Sequence, residues 1–257
     1  MLDDALAAVA EGATPIAGGT DLMVETNFGH IRPEHVVGLR RVTELKEWEN
    51  GRIGGGVTWR RLEQEGPRAL SQAARTVGSP QIRNAGTIGG NLGTASPAGD
   101  GHPFLVAVDA SIEVKSTSAT RRIAWRDFFT GPKEMACADD ELITAVVLPT
   151  DLPERQEFAK IGVRNAMVIA TVCAVVTRRD DHRTTVGLGS VGPTPLRASR
   201  AEEMISSVAR PNESDLAEFS RLVSEEVTPI TDHRSTEGYR RHAAGVLCRR
   251  LLERCLR

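Results

Sequence analysis

The chain is 257 residues long with a formal net charge of −2, and aromatic residues make up 4 % of it, with a single tyrosine. This balance leaves no basic footprint for nucleic acid and no stacking surface for bases, while the length allows one large domain or two smaller ones. The opening Met-Leu-Asp-Asp-Ala-Leu lacks a basic leader region, and no apolar run reaches the roughly 18 residues of a membrane span; the expectation is a cytoplasmic protein without a membrane span.

Leu2, Leu6 and Val9 fall on one helical face and Gly12 follows as a stop, so the chain opens with a short amphipathic helix. Thr14-Pro15-Ile16-Ala17 reads as a strand running into Gly18-Gly19-Thr20-Asp21, and then into Leu22-Met23-Val24. Strand, two glycines, Thr and Asp is the layout of a backbone that turns around a ligand, and equally of a plain tight turn. It lacks the Gly-Lys-Ser/Thr of a phosphate-binding P-loop and the G-x-G-x-x-G of a dinucleotide fold. Further strands are expected at Val36–Leu39 and Arg52–Val57. Thr58 is a candidate N-cap, and Leu70, Ala73, Ala74 and Val77 form an amphipathic face that stops at Gly78.

The densest stretch runs from Gly78 to Asp100, with glycines at 78, 86, 89, 90, 93 and 99. Around Gly89 and Gly90 successive N–H groups can converge on an anion as a nest. Thr87, Asn91, Thr94 and Ser96 add groups suited to phosphate and polyol. The alternative is a glycine-rich turn cluster between strands. Beyond it, Ile112–Val114, Arg121–Trp125 and Leu142–Leu148 are strand candidates, and Thr150–Arg155 reads as a connection between domains. Val168–Val176 is a β-branched apolar run, and Thr184–Val191 returns after a charged turn, as in a hairpin. Helical periodicity marks Ala201–Val208, Asp215–Val223 and a closing helix whose face carries Ala244, Leu247, Cys248, Leu251, Leu252 and Cys255. Cys137, Cys173, Cys248 and Cys255 form no Cys-x-x-Cys pair and have no histidine at metal-ligand spacing, so no metal site is expected, and Cys173 reads as a core thiol.

Ala17-Gly18-Gly19-Thr20-Asp21-Leu22 and Thr87-Ile88-Gly89-Gly90-Asn91 together resemble the FAD-binding subunits, or domains, of the molybdenum hydroxylases: xanthine dehydrogenase, aerobic carbon monoxide dehydrogenase and aldehyde oxidoreductases. Ser79-Pro80-Gln81-Ile82-Arg83-Asn84, Ala95-Ser96-Pro97 with Asp100, Lys160-Ile161-Gly162-Val163-Arg164 with Ala170, and Tyr239-Arg240-Arg241-His242 extend the likeness over nearly the whole chain. The resemblance implies an α+β fold: a two-part FAD-binding domain of the p-cresol methylhydroxylase type over residues 1–150, then a smaller domain with an antiparallel sheet and helices over 155–257.

It also implies roles. Ile16, Ala17, Gly18, Gly19, Thr20, Asp21 and Leu22, with Thr87, Ile88, Gly89, Gly90 and Asn91, would wrap the FAD pyrophosphate and ribityl chain. Asp100 would hydrogen-bond the ribityl–adenosine region. Lys160 would stand at the flavin's N1–C2 edge, and Ile143 would be an apolar flavin contact. Val77 stands where some members place an aromatic on the flavin, and the family usually has further residues before the first helix. No residue of this chain is expected to be catalytic. Molybdopterin would sit on a large partner subunit and two [2Fe-2S] clusters on a small one. Electrons would pass through FAD to a terminal acceptor such as NAD+ or oxygen. Two other readings remain: a stand-alone reductase or oxidase of the same fold, and a flavin-free assembly scaffold.

Overall fold

The computed structural model describes residues 1–165 and 167–257. α1 (Leu2–Ala10) buries Ala5, Leu6 and Val9 and ends before Gly12, whose φ of 90° suits glycine. β1 (Thr14–Ile16) feeds the first glycine loop, and the apolar residues after that loop form a short helix, α2 (Leu22–Asn27), none of whose residues is buried. β2 (Val36–Gly38) returns in parallel beside β1. Together with Leu45 and Leu142, these segments close a small core of their own around Leu6, Leu39 and Val42.

β3 (Trp48–Glu49) and β4 (Arg52–Gly54) lead into α3 (Trp59–Glu65), which Thr58 caps by accepting from the Arg61 N–H. α4 (Arg68–Thr76) follows, burying Ala69, Leu70, Ala73 and Ala74. The glycine-rich stretch is more ordered than its composition suggests, for it makes two short helices, α5 (Pro80–Ala85) and α6 (Ile88–Thr94). Ser79 and Thr87 start them by accepting the N–H groups of Ile82 and Gly90, and Pro80 occupies the first turn of α5. Next come α7 (His102–Ala107), β5 (Ser111–Lys115), β6 (Thr120–Ala124), α8 (Trp125–Phe128), β7 (Phe129–Gly131), β8 (Glu134–Met135) and β9 (Leu142–Val147). β3, β4, β9, β5 and β6, in that order, form a five-stranded antiparallel sheet. Glu113 on β5 is buried rather than solvent-facing, held by Arg52 and Thr144.

The remaining strands are β10 (Arg155–Ile161), β11 (Val172–Arg178), β12 (Thr184–Gly189) and β13 (Leu196–Arg197), a four-stranded antiparallel sheet in chain order. The apolar run becomes strand only from Val172, and every residue of β11 is buried, as expected of a strand covered on both faces. One face packs on α9 (Ser199–Ser206), α10 (Glu213–Glu226) and α11 (Glu237–Cys255) through Ala174, Val176, Val186 and Leu188. The other puts Phe158, Cys173 and Val175 into the same core as Phe104, Leu70 and Ile112 of the first half.

That shared core is reinforced by polar stitching. α4 lies along the outer edge of β10, where Gln72 acts as a substitute strand: its Oε1 accepts from the Phe158 N–H at 2.7 Å and its Nε2 donates to Glu157 at 3.0 Å. Arg68 donates to the same Glu157 at 2.8 Å. The exposed edge of the sheet is thereby covered. Gln72→Ala strips the partner from the Phe158 N–H, and we predict a loss of about 1–3 kcal/mol in unfolding free energy, read from urea denaturation.

Candidate functional site

The first glycine loop is a cradle of unused donors. Ile16 ends β1, Ala17 to Asp21 turn, and Leu22 opens α2. A Cβ on Gly18 would fall on the Ala85 carbonyl, so the loop touches the end of α5 backbone to backbone, and Gly19 takes a φ of 68°. Among the described residues, the backbone N–H groups of Gly18, Gly19, Thr20 and Asp21 donate to no protein acceptor. The Thr20 hydroxyl lies beside Gly86. The Asp21 carboxylate accepts from Thr94 at 2.6 Å, which ties the loop to the far end of α6. Consecutive unpaired N–H groups of this kind form an anion-binding concavity.

The second loop is built differently from the nest its glycines suggest. Its amides are already spent: Ile88 N donates to Val57 O at 3.0 Å, Gly89 N to Gly55 O at 2.8 Å, and Gly90 N to Thr87 Oγ1 at 3.0 Å. Gly89 is glycine for packing, because an added Cβ would stand 2.6 Å from the Gly55 oxygen. Gly90 has no such reason. It is exposed, its φ is ordinary, and an added Cβ would meet only Thr87 Oγ1, at 3.2 Å. Gly93 is similarly open, with the half-buried Ile143 of β9 at 4.0 Å from its Cβ position. α6 therefore presents a side-chain-free surface outward, as close approach of a ligand requires. The Asn91 carboxamide makes no protein hydrogen bond among the described residues.

Asp100 and Lys160, far apart in sequence, come together. Lys160 Nζ donates to Asp100 Oδ2 at 2.6 Å and to the Thr76 carbonyl at 3.3 Å, and the Thr76 hydroxyl reaches the same Oδ2 at 3.3 Å. Both charged side chains are only 8 % exposed. Burial pushes the Asp100 carboxyl up to about 6, against the pull of Lys160. Its other oxygen, Oδ1, is buried with no donor among the described residues. No hydrogen bond or ion pair among the described residues joins this pair to the first loop. Nearby, His102 is wholly buried against Phe129, and burial pushes it down to about 4 against the pull of the Asn91 and Ser96 backbone.

Thr76, Gly55 and the Asp21–Thr94 contact carry no signal in the sequence. Each matters only through a partner that folding brings near: Thr76 lies 24 residues from Asp100 and 84 from Lys160.

Residues 1–151 match the family model described as the FAD binding domain in molybdopterin dehydrogenase, and residues 157–255 match the CO dehydrogenase flavoprotein C-terminal domain. The chain is 35 % identical to the nicotinate dehydrogenase FAD-subunit of Eubacterium barkeri over 208 residues, 74 % of this chain and 70 % of that one. It is 29 % identical to the carbon monoxide dehydrogenase medium chain of Afipia carboxidovorans, over 97 % of this chain and 91 % of the relative. The solved structure of reconstituted CO dehydrogenase from Oligotropha carboxidovorans contains a chain that superposes with a TM-score of 0.89 at 28 % identity, covering 98 % of this chain and 94 % of that one.

The two neighbouring glycines of α6 give a clean contrast. Gly89→Ala forces backbone apart and is expected to cost about 1–3 kcal/mol, whereas Gly90→Ala is expected to stay within about 1 kcal/mol of the parent, helped by the better helix former. Thermal unfolding of the two variants checks this.

Proposed function

We propose that this chain, which belongs to the FAD-binding subunits of the molybdopterin dehydrogenases, is the flavin-bearing electron-transfer subunit of such an enzyme, working beside a large molybdopterin subunit and a small [2Fe-2S] subunit. The observation that carries this is the row of unpaired N–H groups from Gly18 to Asp21 beside the open face of Gly90 and Gly93. A pyrophosphate fits there, because amide dipoles balance its charge without a lysine or arginine. Thr20, Thr87 and Asn91 would bind phosphate and ribityl oxygens. Asp100 would hydrogen-bond the ribityl–adenosine region, as the resemblance of Ala95-Ser96-Pro97 with Asp100 implies. Lys160 would set a cation near the N1–C2 edge of the ring, with Ile143 against it. In this reading residues 1–150 hold the cofactor and residues 155–257 close over its reactive end.

When bound, FAD supplies the exchange between single electrons delivered by the partner's clusters and the pair taken by NAD+, oxygen or another acceptor. The chain's own part is to bind, orient and tune. The unpaired amides support this reading over a flavin-free scaffold, and the match of residues 157–255 to the CO dehydrogenase flavoprotein supports it over a stand-alone oxidase.

The test is anaerobic reduction of the complex isolated with its molybdopterin and iron–sulfur subunits. Screened with nicotinate, xanthine and carbon monoxide, the complex should bleach its flavin band with one of them. Cluster reduction with the flavin band untouched would overturn the electron-transfer role.

A further inference from the structure

The segment from Gly19 to His30, which carries α2, is held to the rest of the chain by very little. Its backbone hydrogen bonds close within itself, from Met23 N on the Gly19 carbonyl to His30 N on the Glu25 carbonyl. Its side chains do the same at Thr26, which donates to the Leu22 carbonyl, and at His30, which pairs with Glu25. None of its residues is buried and none joins a hydrophobic core, while Met23, Val24 and Phe28 stand exposed. Glycines bracket it. Gly19 takes a φ of 68° and Gly29 a φ of 76°, and nothing lies within 4 Å of a Cβ placed on Gly29. Such positions can change conformation at little steric cost. Just before the first of them, Gly18 is fixed backbone to backbone on Ala85, so any movement begins at Gly19.

Among the described residues, two hydrogen bonds leave this segment. Asp21 accepts from the Thr94 hydroxyl at 2.6 Å, and Glu25 accepts from Lys133 Nζ at 3.2 Å. Both lead to one place. Thr94 ends α6, and Lys133, on the turn between β7 and β8, donates its own N–H to the Ala95 carbonyl just beyond it. The Lys133 and Glu25 side chains are 63 % and 36 % exposed, a setting in which an ion pair is weak and screened by salt. A segment with no buried apolar anchor and solvent-exposed polar contacts belongs to the part of a fold that opens most readily.

We propose that Gly19 to His30 is a strap that swings on Gly19 and Gly29 to admit and release FAD, with Asp21–Thr94 and Glu25–Lys133 as its clasps, a role that rests on the reading that this chain binds FAD. The strap reaches from the row of unpaired amides to the end of α6, and so closes the cradle between them. Opening exchanges two exposed contacts for water and uncovers no core. Because the clasps are made in the empty and the loaded chain alike, weakening them speeds entry and release together and leaves the affinity nearly unchanged.

The experiment follows FAD uptake by the apo full chain through flavin fluorescence, and exchange of bound FAD against excess radiolabelled FAD. Asp21 and Thr94 touch through their side chains, so Asp21→Cys/Thr94→Cys places two thiols where a disulfide can clasp the strap to α6. The wild type, oxidised and reduced in the same way, controls for the native thiols. Loaded with FAD and then oxidised, the variant should exchange its flavin at least about tenfold more slowly than after reduction, and the oxidised apo form should take up FAD more slowly by a similar factor. Lys133→Met, which leaves both glycine loops intact, should speed uptake and exchange at least about twofold each, with the dissociation constant within about twofold of the wild type. Equal rates in the bridged and reduced variant overturn the proposal, as does a Lys133→Met chain whose two rates are unchanged or of which only one moves. A wild type that takes up no FAD overturns the flavin reading itself.

Discussion

Gly18 lies against the Ala85 carbonyl, Gly89 against Gly55, and Gly55 against the Ile143 carbonyl, so that backbone meets backbone between the first loop and the end of α5, and again from α6 to β9, with no side chain between. Each of these approaches excludes a Cβ. They seat α6 against Gly55 while its exposed glycines stay bare, and they hold the first loop against α5 in a conformation whose N–H groups have no protein partner among the described residues. An unpaired amide is tolerable where water or a ligand reaches it. The half-exposed loop supplies that access while the buried glycines below supply the precision. The same geometry explains why two adjacent glycines differ in purpose, one fitted to the protein and the other to what the protein holds.

The second organising feature is the joint between the halves. α4 runs along β10, Gln72 mimics a neighbouring strand, and the core passes without a break from Leu70 and Phe104 to Val175. At the site end of this joint sits the Asp100–Lys160 pair. Desolvation offsets much of what such a pair gains in attraction, so a buried pair is weak evidence for stability. What the pair does is join the halves: one carboxylate oxygen takes Lys160 of β10, and the other lies buried without a donor among the described residues.

Much of this was legible in the sequence, and the exceptions have physical causes. Helical periodicity located α1, α9, α10 and α11, and the β-branched run located β11, because burial imposes those patterns directly. The stretch from Gly78 to Asp100 carried the likeness to flavoproteins but not its own conformation. Glycine disfavours helix, and only the Ser79 and Thr87 caps, with the tight approach of Gly55 and Gly89, show why α5 and α6 form. The amides of Gly89 and Gly90, expected from their spacing to bind an anion, are taken by Gly55 and Thr87. That a donor is already spent is a tertiary fact. The partnership of Asp100 with Lys160 and Thr76 is likewise invisible until β10 and α4 are placed side by side.

The central claim is that the cradle formed by Gly18 to Asp21 and α6 holds a dinucleotide flavin. The most direct measurement is the flavin content of the purified chain after saturation with FAD, removal of free ligand and release with acid. The expected result is a yellow protein that yields intact FAD at one per chain. A colourless protein that retains no FAD, alone and again with its partner subunits present, would contradict it.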